Sequence, residues 1–325
     1  MTKKVLRFSL LLGIALFVFL ILKTDPAEIF RQIRKLTWLN LAVLLAMRLV
    51  YWILRTVCWQ LVFVAYDHRL PFRKMLQARL ASYAVSYLTP SAMLGGEPLR
   101  AFMINGSSRR RSFATVVVDK TIELVTMSVF TVAAVVFVLS RVPMPPLYRT
   151  ILLAFIIIVV GLVVFLIVRQ RQGMFIGVLD VLAKLRLRLH FLERHRANLR
   201  DIDAYVSDFY RRHRRKIPLV ALHYVLTFLF WILEIQVTMV FLHIAGVTFG
   251  KSFLVITLGN VALLLPAIPA AVGVYEAANV GVFAILGWGA TTAMSVALVR
   301  RIVTLVWVGI GLAMLGKGRF NLKDL

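Results

Sequence analysis

Apolar residues in this chain are not spaced for one half-buried face of a helix or strand; they come in long, nearly unbroken runs. Runs near the ~20 residues that cross a ~30 Å hydrocarbon core fall at 5–22, 39–66, 112–139, 148–168, 217–243 and 290–315. Each predicts a spanning helix, so the chain reads as an all-α polytopic membrane protein. The first run follows Lys3, Lys4 and Arg7 but lacks a small-residue cleavage site, and its tail reads LILKTDPAEIF. It is expected to be a retained anchor rather than a removed signal peptide.

Two intervals do not fit a single span. The first, 72–108, reads FRKMLQARLASYAVSYLTPSAMLGGEPLRAFMINGSS. Its opening arm, 76–88, is about 20 Å long at ~1.5 Å per residue, too short to cross. Pro90 then breaks it, and Gly95-Gly96-Glu97-Pro98 is too polar and too rich in helix breakers to face lipid. The second interval, 252–287, carries Pro266 and Pro269 in its middle. Irregular backbone at membrane depth is tolerated only where protein or a wet cavity covers it. Both intervals therefore predict re-entrant helical hairpins, although two very short full crossings would give the same sidedness.

Charge supports the hairpin reading. Of 325 residues, 61% are apolar or aromatic and 16% charged, with 39 Lys and Arg against 14 Asp and Glu, a net charge of +25. Soluble domains carry roughly 25% charged residues. A secreted or disordered class does not fit, and no nucleic-acid partner is expected, because such binders do not carry this much aliphatic sequence. With the N-terminus cytoplasmic and each hairpin returning to its own side, 26 Lys and Arg fall in inside segments and 7 in outside segments. That is the positive-inside bias. A single crossing at 72–108 would reverse it by placing Arg109, Arg110, Arg111 and the 169–216 segment outside. Both termini are expected in the cytoplasm, with the inner face meeting an anionic membrane surface.

The same layout exposes a duplication. Residues 1–140 read span, span, hairpin (72–108), span; residues 148–315 read span, span, hairpin (252–287), span, starting from the opposite face. Pro90 precedes Glu97 by seven residues, as Pro269 precedes Glu276. Lys120 follows Glu97 by 23 and Arg300 follows Glu276 by 24, while Arg55 and Glu234 each lie 42 before those glutamates. Six spans and two hairpins in an inverted repeat are the layout of alternating-access transporters. Between the repeats lies the basic segment 169–216. Phe175, Val178, Leu179, Leu182 and Leu189 fall on one helical face beside Lys184, Arg186 and Arg188, and Leu199, Ile202, Val206 and Phe209 follow at 3-4-3 spacing. This reads as an amphipathic helix pair on the anionic leaflet, or as a solvated linker with ordinary positive-inside charge.

Six cations (Arg48, Arg55, Arg100, Lys120, Arg300, Arg301) and five acids (Glu97, Asp119, Glu123, Glu234, Glu276) fall inside the membrane segments. Each costs about 2.5–3.5 kcal/mol at a span centre on insertion scales. They are expected to face one another or a watery cavity. In the functional reading, Arg100, Lys120 and Arg300 bind a phosphate head group. Glu97 and Glu276, at tips shaped by Pro90, Gly95, Gly96, Pro269 and Gly273, pair with those cations or carry a coupling proton. Arg55, Asp119, Glu123 and Glu234 take structural or coupling roles, and Arg48 a structural one. In the structural reading, all of these are permanent ion pairs that fix broken helices. Arg300 and Arg301 point about 100° apart on a helix, so one of them is expected to face the site. Arg79 reads as snorkelling. His223 and His243, like the six tryptophans, read as packing or interfacial residues. The single Cys58 excludes a disulfide framework and a thiolate metal site. No nucleotide, metalloprotease or nucleophile-elbow motif appears, so no cofactor and no metal are expected.

LTPSAMLGGEPLRAFMI (88–104) followed by VVVDKTIEL (116–124), then LLLPAIPAAVGVYEAANVGVFAILG (263–287) followed by LVRR (298–301), resembles the flippase-like family described as the lysylphosphatidylglycerol synthase transmembrane region. The resemblance spans nearly the whole chain. It implies a multi-pass protein of a bacterial or archaeal plasma membrane, related to the flippase half of those synthases. The implied partners are a phospholipid or polyprenyl-linked lipid and a separate lipid synthase. The family's glycine–glutamate and arginine positions fall on Gly96, Glu97 and Arg100, and its Asp-Arg pair on Asp119-Lys120. Its Pro-Gly-Gly-x-Gly tip falls on Pro269-Ala270-Ala271-Val272-Gly273, and Glu276 and Arg300 match. About ten residues follow the last span, so an aminoacyl-transfer domain and lysyl transfer are not expected. The reading is a translocator of an anionic phospholipid or lipid-linked substrate through a charged mid-membrane groove. The rivals are an intramembrane lipid-modifying transferase and a non-transporting partner of a lipid synthase.

Overall fold

Backbone in lipid must satisfy its own hydrogen bonds, and long apolar runs do so as helices. The computed structural model describes residues 3–66, 70–91, 93–104, 108–184, 196–264 and 268–317. It runs α1 (Lys3–Lys23), α2 (Pro26–Arg34), α3 (Trp38–Ala65), α4 (Phe72–Leu88), α5 (Glu97–Phe102), α6 (Arg109–Arg141) and α7 (Pro146–Gln172). Then follow α8 (Met174–Lys184), α9 (Arg196–Arg212), α10 (Ile217–Phe241), α11 (Phe249–Gly259), α12 (Val274–Ile285) and α13 (Ala290–Lys317). Helices α3, α6, α7, α10 and α13 are long and apolar enough to cross a membrane. Helix α1 forms over 21 residues, with Leu11–Lys23 counted as a shorter apolar stretch. The chain is an all-helical, multi-pass membrane protein.

Local chemistry sets several boundaries. Asp25 caps α2, its carboxylate accepting from the Ala27 and Glu28 backbone amides, with Pro26 at the first turn where its missing N–H costs nothing. Ser108 caps α6 through the Arg111 amide, and Thr248 caps α11 through the Lys251 amide. Helix α4 starts four residues earlier than its expected arm, directly after Pro71, and stops ahead of Pro90. Pro266 lies outside the described residues. Helix α7 shows why water is the wrong solvent: none of its apolar window is buried, and Ile157 and Ile158 are about 70% exposed. An uninterrupted apolar surface of that kind suits lipid contact.

The chain divides into two compact units. One combines 1–53, 77–99 and 227–325; the other combines 54–76 and 100–226. Each draws on both halves of the sequence. In the second, α9 packs against α6, α7 and α8. Ile202, Val206 and Phe209 join Cys58, Val62, Ala114 and Val118 in one buried cluster, with Leu199 and Phe175 packed on it. The apolar stripe of α9 thus lies against protein, not against a leaflet; the 3-4-3 spacing is the same for either partner. Leu182, Lys184, Arg186, Arg188 and Leu189 have no described side chains. Asp203 anchors the same helix by accepting the Phe175 and Ile176 amides at 3.1 and 2.9 Å, at the N-terminus of α8. Burial pushes the Tyr210 phenol up to about 12, so it stays protonated and donates to Gln170 at 2.8 Å.

Candidate functional site

The first broken interval turns tightly within 89–96. The Gly95 amide donates to Ser91 Oγ at 2.7 Å, and the Gly96 amide donates to Ser86 Oγ at 2.9 Å. A Cβ on Gly96 would sit 1.9 Å from the Ser82 carbonyl oxygen, so only glycine lets the turn lie on α4. Half-buried Glu97 opens α5 directly after this turn.

The second interval reaches a tip at Pro269–Gly273. Ala270 and Ala271 both adopt the left-handed region, with φ of 54° and 45°, and Gly273 has φ of 78°. These alanines stand where the resemblance places glycines, and their backbone retains the conformation glycine favours. A Cβ on Gly273 would lie 2.4 Å from the Gly13 carbonyl, so α1 passes the tip at backbone distance. Each left-handed alanine costs roughly 1–2 kcal/mol, partly offset by the greater freedom of glycine in the unfolded chain. Ala270→Gly is therefore expected to leave stability unchanged or raise it by about 1 kcal/mol, whereas the β-branched Ala270→Val lowers it by about 1–2 kcal/mol. Thermal unfolding of the detergent-solubilised protein checks both.

Glu276, 0% exposed, fixes that tip. One carboxylate oxygen accepts the Gly273 amide at 2.8 Å. Arg301 grips both oxygens with a two-pronged contact, its Nη2 at 2.9 Å. The Arg301 Nη1 also donates to Tyr87 Oη at 2.9 Å and to the Ala270 carbonyl at 3.4 Å. The expected partners of Glu276 were Arg100, Lys120 or Arg300; in the structure its partner is Arg301.

Beside this latch the first unit contains a cavity of about 50 Å³, room for several waters or one small anionic group. Arg48 of α3 and Arg300 and Arg301 of α13 line it. The expectation that one of the adjacent pair faces the site is corrected: long, flexible side chains bring both to one wall despite their divergence on the helix. Tyr83 and Tyr87 of α4, Trp231 of α10, Asn260 after α11 and Tyr275 of α12 supply aromatic and amide groups to the lining. Arg48 is paired with Glu234 at 2.5 Å, both side chains about 5% exposed. Arg300 instead donates to the Tyr275 hydroxyl and faces the rings of Trp231 and Tyr275. Among the described residues, no carboxylate lies within ion-pair distance of Arg300.

In the second unit the singled-out buried cations each hold a carboxylate. Arg100, 1% exposed, donates to Asp119 at 2.8 Å and stacks 4.4 Å from the centre of Trp59. The other Asp119 oxygen accepts from Tyr224 Oη at 2.6 Å. Arg55 and Lys120 share Glu123, the lysine at 3.3 Å. Two of the three proposed head-group cations, Arg100 and Lys120, therefore already hold carboxylates.

The chain matches a known family over nearly its whole length. The family model described as the lysylphosphatidylglycerol synthase TM region matches residues 7–312. The chain belongs to this family. Two proteins of Methanothermobacter thermautotrophicus, each named UPF0104 membrane protein, are 24% identical to it. One is aligned over 91% of this chain and 90% of its own length, the other over 91% and 88%. No solved structure matches the chain. In this lysylphosphatidylglycerol synthase TM-region protein the cations and acids stand out in the sequence, whereas the aromatic and amide lining does not. Tyr83 and Tyr87, four apart on a short arm, and Asn260, an amide in an apolar run, were the available signals.

Proposed function

We propose that this protein translocates an anionic phospholipid or polyprenyl-linked lipid between leaflets, with the arginine-lined cavity of the first unit receiving the head group. The observation that carries this reading is Arg300: a buried guanidinium among apolar helices, held by a hydroxyl and two rings rather than by a carboxylate. A cation in that state is stabilised by an incoming anion more than one already paired. The order of elements supports the same reading. Long helix, short elements, long helix, two short arms and long helix describe both 3–141 and 146–317, as expected for repeats over 1–140 and 148–315. We read α4 with α5 and α11 with α12 as re-entrant hairpins, giving six spans in an inverted repeat. The 26-to-7 distribution of basic residues supports cytoplasmic termini, and we read the membrane as the bacterial or archaeal plasma membrane that the family resemblance implies.

The test is transfer of fluorescent phosphatidylglycerol between leaflets of proteoliposomes, read by dithionite quenching. Wild-type protein is expected to transfer lipid, and Arg300→Gln, which keeps a donor for Tyr275, to lose at least tenfold in rate. Wild-type transfer by folded Arg300→Gln would overturn the proposal.

A further inference from the structure

Charge and unsatisfied hydrogen-bonding groups define what the cavity takes. Arg48, Arg300 and Arg301 bring three positive charges, and Glu234 and Glu276 neutralise Arg48 and Arg301. One positive charge remains, on Arg300. A monoanion balances it; a dianion would have to strip an arginine from its buried carboxylate. Four polar atoms around the cavity are buried without a hydrogen-bond partner among the described residues: Arg48 Nε, Trp231 Nε1, and both Oδ1 and Nδ2 of Asn260. Buried polar groups are rarely left in that state, so each points to a missing partner. Three are donors that require acceptor oxygens, and Asn260 Oδ1 is an acceptor that requires a donor.

An ammonium is the wrong donor for it. The faces of Trp231 and Tyr275 already meet guanidiniums, with Arg48 and Arg300 at 5.9 and 5.8 Å from the Trp231 centre and Arg301 at 5.9 Å from Tyr275. A further cation would sit against these, and the two carboxylates beside them, Glu234 and Glu276, already each hold an arginine. A neutral hydroxyl meets the requirement without repulsion.

We infer that the first unit's cavity binds a singly charged phosphate oxyanion carrying a hydroxyl donor, with Arg300 and Trp231 on the oxyanion and Asn260 reading the hydroxyl. Either a polyol phosphodiester head group or free hydrogen phosphate has this chemistry. The inference deepens the proposal above, and rests on its premise that the cavity is a ligand site.

Equilibrium binding to the full chain in detergent tests it, with dihexanoyl phosphatidylglycerol, dihexanoyl phosphatidylethanolamine and inorganic phosphate as probes. Phosphatidylglycerol is expected to bind at least tenfold tighter than phosphatidylethanolamine, and Asn260→Leu to erase that preference. Weak binding of inorganic phosphate beside tight phosphatidylglycerol identifies the lipid head group as the source; equal binding identifies free phosphate. Equal affinity for the two lipids, no binding of any probe, or an undiminished preference in Asn260→Leu overturns the inference. Where Asn260→Leu does not fold, the wild-type preference alone decides. Selective binding without transfer in proteoliposomes would remove the transport reading and leave this one standing.

Discussion

Glu276→Leu is expected to cost about 3–5 kcal/mol of stability, the range for stripping one partner from a buried ion pair. The carboxylate is 0% exposed and does two things at once: it neutralises Arg301 and caps the turn at Gly273. Leucine fills the space but leaves Arg301 with neutral partners, the Tyr87 hydroxyl, the Ala270 carbonyl and the Tyr275 ring, in place of its carboxylate. A loss of that size is a large part of the roughly 5–15 kcal/mol that holds a typical protein together, so the variant should yield little folded protein. Glu276→Gln retains the cap and one hydrogen bond to the guanidinium and should lose less, though it raises the cavity's net charge. Removing the charge from both sides, as Glu276→Gln with Arg301→Gln, should recover part of the loss. Thermal unfolding in detergent ranks the variants. A melting temperature for Glu276→Leu equal to wild type would show that the latch does not hold the tip.

The helices were legible because a bilayer leaves few choices: an apolar run near 20 residues becomes a helix, and observed ends fall within a few residues of those read from the pattern. Breaks at Pro90 and Pro269 were legible for the same reason, since proline removes a donor that lipid cannot replace. Partner choice was not. Arg48 and Glu234 lie 186 residues apart, and Arg301 and Glu276 lie 25 apart, the same distance to within a residue as the Arg300 separation. Coulomb attraction names signs, not addresses, so only packing distinguishes these pairs. The cavity's aromatic wall escaped notice because Tyr83, Tyr87 and Trp231 in apolar helices match the pattern of packing or interfacial residues. Helix α9 was ambiguous for a related reason: an amphipathic stripe records that something apolar covers it, not whether that is lipid or protein.

Asp119→Ala tests whether Arg100 is a ligand or a keystone. The sequence motif offers Arg100 as a head-group cation, while the structure gives it a carboxylate at 2.8 Å, an aromatic face and 1% exposure. Removing Asp119 deprives the guanidinium of its opposite charge in a buried setting and Tyr224 of its acceptor. The expected loss is again about 3–5 kcal/mol. Asp119→Asn keeps one acceptor oxygen for Arg100 and meets Tyr224 only by donating to its hydroxyl oxygen, and should lose about half as much. The decisive variant is the double exchange of Arg100→Met with Asp119→Leu, because replacing a whole buried pair by apolar residues is often neutral. A structural pair predicts that the double variant melts near wild type and still transfers lipid in proteoliposomes. A substrate-binding Arg100 predicts the same melting temperature with transfer abolished. Stability and transfer measured together on this one variant therefore separate the two roles, which neither single exchange does.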